Sequence, residues 1–134
     1  MHVVRARISP SYSAAFGLLL ALGACKVSDG LAEGDRLAKQ GRWTEAVDAY
    51  EAVLRDYPHS YRAAWGIAEI YCEKTHHYDK CLRWTERLLE GYPGTAKYRR
   101  ARAQGFRDRA AYHRSHGDEA AALADEAEAA KHDH

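Results

Sequence analysis

The sequence is short of the residues that build sheets and of those that interrupt helices. It holds only three prolines in 134 residues, and Val, Ile and Thr are sparse beside Ala, Glu, Arg and Leu. This balance argues against a strand-rich fold and for helix. Excess charge of one sign is also lacking, with 20 Lys and Arg against 19 Asp and Glu. Nothing therefore draws the whole chain toward nucleic acid or an anionic membrane. No apolar run is long enough to cross a bilayer as a stable helix. The sequence lacks a Gly-rich phosphate loop, a nucleophile elbow and a zinc-protease helix motif. No catalytic residue and no cofactor is assigned, and the expectation is a protein that is not an enzyme. The three cysteines lack a Cys-x-x-Cys clip, so His76 and His77 between Cys72 and Cys81 make a poor metal site. No metal is assigned, and His132 and His134 read as a solvated tail.

What is present is a repeat. Gly34, Leu37 and Ala38 lead to Gly41. Then Trp43, Ala46, Val47, Tyr50, Val53 and Leu54 recur at helical spacing up to Tyr57-Pro58. A second copy follows about 34 to 35 residues later, through Ala68, Tyr71, Tyr78, Cys81, Leu82, Leu88 and Leu89 to Tyr92-Pro93. The periodicity predicts helices over about 30–40, 43–57, 61–74 and 78–90, with Ser28 or Asp29 capping the first and Ser60 the third. Gly41 suits the left-handed residue that ends a helix. Gly34 is costly inside a helix and makes sense if a second helix approaches closely there. A third pair is predicted over about 96–115 and 118–131, with Thr95 as cap and Gly117 as stop. Its second helix has Leu123 as its single large apolar residue. Residues 95–131 thus read as a degenerate third repeat or a capping hairpin, and 132–134 as a frayed tail.

These residues resemble the tetratricopeptide repeat. That family sets a small residue of helix A against one of helix B, an aromatic after the turn glycine, and a closing proline. Gly34, Ala46, Trp43, Tyr50 and Pro58 fill these places, while Gly30 stands where the family carries a large aromatic. The resemblance implies one all-α domain, a short right-handed superhelix of about six helices in three antiparallel hairpins, two of them over 30–94. It also implies a scaffold that binds other proteins or peptides in the groove lined by helix A. By family position that groove holds Leu31, Asp35 and Lys39, then Arg62, Trp65 and Glu69, with Trp65 either the anchor for a partner or packed against the next helix.

The first 24 residues read as an address. His2, Arg5 and Arg7 make a basic start, residues 14–22 an apolar run, and Gly23-Ala24 a small-residue site before Cys25. Leu22-Gly23-Ala24-Cys25 resembles the bacterial lipoprotein box. The resemblance implies cleavage before Cys25, acylation of that residue, and a tether over 25–29. Lys26 follows in place of the aspartate that retains lipoproteins at the inner membrane, which implies an outer-membrane site facing the periplasm. Tyr57-Pro58-His59-Ser60 with the anchor resembles, in part, the assembly lipoproteins of outer-membrane β-barrels, which carry more repeats. Self-association in the envelope is a further alternative.

The address implies an oxidising compartment. Cys72 and Cys81 flank one turn, so they form either a disulfide or two small buried residues that never touch. Arg100, Arg107 and Arg114 share one face of the fifth helix. Either they pair with Asp118, Glu119, Asp125, Glu126 and Glu128 of the sixth, or they form a basic strip for phosphates.

Overall fold

The computed structural model describes the backbone of residues 11–134 and side chains from Cys25 onward. The basic start at His2, Arg5 and Arg7 lies outside the described residues. So do the side chains of the apolar run and of Leu22, Gly23 and Ala24. Six helices follow in order among the described residues: α1 Ser11–Lys39, α2 Trp43–Asp56, α3 Tyr61–Glu69, α4 Tyr78–Gly91, α5 Ala96–Ser115 and α6 Glu119–His132. They make an all-α, tetratricopeptide-like stack of three hairpins. Each helix packs on the next in the chain, and α1 also touches α3.

The helical faces read from the sequence become the core. Ala46, Val47, Tyr50, Val53 and Leu54 of α2 are buried, as are Ala63 to Ala68 of α3. Gly41 ends the first hairpin's turn with φ +71°. The Ser60 hydroxyl accepts the Ala63 amide at 3.3 Å and caps α3. At Gly34 a Cβ would lie 2.4 Å from Tyr50 Cε1, and at Gly66 one would lie 2.6 Å from Tyr50 Cε2. Two glycines of successive A helices therefore admit one tyrosine ring of the B helix between them.

Several expectations are corrected. The first helix does not begin near residue 30. No proline lies between Ser11 and Lys39, so α1 runs unbroken through the expected tether, and Ser28 and Asp29 sit inside it rather than at its cap. The end of the third helix is not α-helical: Ile70–Lys74 forms a π turn, closed where the Thr75 amide and hydroxyl both donate to the Ile70 carbonyl. Thr95 precedes α5 but its side chain makes no capping bond. Its carbonyl accepts the Tyr98 and Arg99 amides instead. Of the tail, His132 belongs to α6 and stacks on Phe106, and Asp133 just after it pairs with Arg107. Among the described residues no helix is long and apolar enough to cross a membrane.

Candidate partner-binding face

The face shared by α1, α3 and α5 is organised from its buried side outward. Tyr50 lies beneath it, 2% exposed, and its hydroxyl donates to the Asp35 carboxylate. Burial first, then the Asp35 hydrogen bond and charge, push the phenol above its ordinary pKa. The Tyr50 proton therefore stays in place. Asp35 in turn accepts two hydrogen bonds from Arg62 Nη2, at 2.9 and 2.8 Å, tying α1 to α3. Glu69 is half-buried and near enough to Tyr50 for its charge to act on the phenol.

Between α3 and α5 lies an open groove of about 330 Å³. Glu73 stands on the α3 side, with Lys97, Arg100, Gln104 and Arg107 on the α5 side. Trp65 is the aromatic residue that lines it. The Trp65 and Tyr98 rings lie 5.2 Å apart, and Lys97 Nζ sits 4.7 Å from the Trp65 ring centroid. Burial raises the Tyr98 phenol pKa, with smaller contributions from Tyr61 and Tyr92.

Of the two places open to Trp65, the structure gives it the packed one. It is 8% exposed, covered by Tyr98 and Lys97, so it supports the groove and offers a partner little surface. Asp35 and Arg62 are brought together, but as a pair that satisfies itself. Lys39 is exposed in the last turn of α1, and Leu31 packs half-buried on the core. Glu73 and Gln104 were not anticipated. The sequence signal for Gln104 lies in the register of α5 as an A helix of the repeat.

The cysteines and the arginine face are also placed. Cys72 and Cys81 are joined in a disulfide across the second turn, which leaves neither thiolate for a metal. Cys25 is free and exposed. In that turn His76 takes the left-handed position that Gly41 holds in the first, at φ 51°, with its Nδ1 3.0 Å from Asp108 of α5. Of the three arginines on one face of α5, Arg107 pairs with Asp133. Arg114 pairs with Glu119 and Glu126, and both raise its pKa through hydrogen bonds. Arg100 lies exposed at the groove. Pairing between α5 and its neighbours thus engages two members of the strip and leaves Arg100 facing the groove.

Residues 31–74, about a third of the chain, match the family model of the tetratricopeptide repeat. The match spans Leu31 to Lys74, the part that carries Gly34, Tyr50 and Gly66. No curated protein matches the chain. The match identifies a tetratricopeptide-repeat segment over those residues, within the stacked hairpins. Such repeats generally mediate protein–protein binding and are typically non-enzymatic.

Proposed function

We propose that this chain is a non-catalytic interaction scaffold of the bacterial cell envelope. It is anchored by lipid on Cys25, faces the periplasm from the outer membrane, and docks a partner protein on the face of α1, α3 and α5. The observation that carries the docking half is the groove between α3 and α5, where Arg100, Glu73 and Trp65 line an open trough and the Trp65 ring packs on Tyr98. The groove is pre-formed, since Trp65 in its wall is fixed by packing on the Tyr98 ring. Little ordering is then needed on binding, which favours affinity. Opposite charges within one trough suit a polar segment held in one register, because misplaced like charges are penalised. The export half is supported by the Cys72–Cys81 disulfide, which is rare in a reducing cytosol.

A narrower form of this reading is a part in outer-membrane β-barrel assembly, resting on the Tyr57-Pro58-His59-Ser60 turn and the anchor. Self-association is a second reading, favoured by Leu123 on the outer side of α6, which is 55% exposed. Photo-crosslinkers placed in cells at Arg100 and Lys97, with Asp48 on α2 as control, decide between these. Adducts with another protein at the groove positions alone support the scaffold. Adducts only between copies of the chain favour self-association, and adducts equal at Asp48 remove the assigned face.

A further inference from the structure

Cys25 emerges at an edge of the stack that carries its own chemistry. A Cβ on Gly30 of α1 would meet Val53 Cγ2 of α2 at 2.5 Å. About one helical turn earlier, Cys25 and Lys26 therefore lie level with the end of α2 and the loop 57–60. The loop 92–95 reaches the same edge, because α4 runs in the direction of α2. Tyr61 and Tyr92 stand there 52% and 48% exposed, their rings 5.6 Å apart and edge to face. Pro58 is exposed beside them, and an open groove of about 560 Å³ separates the two loops. It is larger than the groove between α3 and α5.

Paired tyrosines exposed at one edge call for a partner that takes an apolar ring body and leaves the hydroxyl wet. A bilayer interface does this, and tyrosine is enriched at that depth. We propose that this edge seats against the headgroup layer of a lipid bilayer, with the Tyr61 and Tyr92 rings entering the interface and orienting the scaffold. The proposal rests on the reading of Cys25 as the attachment point. Charge does not drive the contact, since Lys26, Arg55 and Arg87 are matched by Asp29, Asp56 and Glu90, all exposed. Two rings bind a bilayer weakly on their own. Attachment at Cys25 makes their contact intramolecular, at an effective concentration on the order of millimolar for a short link. Seated this way, the helices stand on the membrane by one end. The groove between α3 and α5 then faces sideways, open to a partner at the same surface.

Every buried residue of the described core lies after Cys25, so the chain beginning at Cys25 keeps the whole core and serves for the test. Its only free thiol among the described residues is Cys25, so a maleimide-headgroup lipid attaches it there without cellular acylation. The probe is a vesicle of phosphatidylethanolamine and phosphatidylglycerol with lipid brominated near the top of the acyl chain. Tyr61→Trp and Tyr92→Trp are compared with Tyr112→Trp. Tyr112 is 45% exposed and lies at the opposite edge, near the Gly117 turn. The added indole at positions 61 and 92 is expected to be quenched at least about twofold more than at 112, with a blue-shifted emission. Circular dichroism checks that each variant folds. Quenching at 61 or 92 no stronger than at 112 overturns the proposal. The mass of the Cys25 peptide from protein made with its leader reads the attachment separately, so an unmodified Cys25 removes the anchor without deciding the edge.

Discussion

The Tyr50 ring occupies the space that a side chain on Gly66 would need, with a Cβ there only 2.6 Å from two ring carbons. Gly34 makes the same demand on the other edge of the ring, at 2.4 Å. One buried aromatic thus sets how closely α1 and α3 approach α2. Its hydroxyl then orders Asp35, and through it Arg62, on the candidate face.

Gly34→Ala and Gly66→Ala should each destabilise the fold, because no flexible side-chain end is available to yield. Alanine is the better helix former by about 1 kcal/mol, which offsets part of the clash. A net loss of about 1 to 3 kcal/mol is expected from overpacking. Urea unfolding of each variant checks this, and unchanged midpoints would show that the ring moves aside freely.

The first hairpin was legible because its information is local. Trp43 to Leu54 repeat at helical spacing, Gly41 supplies the positive φ, and Pro58 stops the helix. For Trp65 the sequence left anchor and packed residue open, because what covers it is Tyr98, one hairpin further on. The π turn at Ile70–Lys74 has the composition of an ordinary helix end, so sequence periodicity passes over it. His76 at positive φ is hidden for a related reason: its Asp108 partner lies 32 residues away. The contacts of His132 and Asp133 are hidden likewise, because their partners lie on α5, not nearby in the chain.

The Cys72–Cys81 disulfide links positions 9 residues apart. A loop of that size should contribute about 2 to 3 kcal/mol by restricting the unfolded chain. The double replacement Cys72→Ala with Cys81→Ala should lower stability by that amount and leave the hairpins formed, since both sites are fully buried and alanine fits them. Thiol titration of the unfolded, unreduced chain beginning at Cys25 should find Cys25 alone. Finding Cys72 and Cys81 reactive as well would show that the bond is absent.

Asp125 is the one buried carboxylate of the α5–α6 seam, 5% exposed. Arg109 Nε and Nη2 donate to it at 2.8 and 2.7 Å, and His113 lies 3.6 Å away. Asp125→Ala leaves a partly buried guanidinium without its acceptor, at a cost of about 1 to 3 kcal/mol. Asp125→Asn retains an acceptor and should cost less. Hydrogen exchange should show the loss in α6 and the adjoining part of α5, while amides of α2 and α3 keep their protection. Uniform loss through all six helices would instead mean that the seam unfolds only with the whole stack.

His132 gives the seam a pH dependence whose sign is set by its surroundings. It stacks on Phe106 at 5.9 Å between ring centres. Burial holds its pKa below the ordinary 6.5, with Arg102, Lys131 and Arg99 pushing the same way and Glu128 opposing. The unfolded chain therefore takes up this proton more readily than the folded one. The contribution of His132 is whole above pH 6.5 and is lost as pH falls from there toward the lower folded value. The chain holds eight histidines, so the informative quantity is a difference between variants. His132→Phe keeps an aromatic ring against Phe106 and removes the titration. Thermal melts on either side of pH 6.5 should therefore fall less steeply with acid for His132→Phe than for the natural chain. Parallel slopes would mean that the imidazole leaves Phe106 before it takes a proton.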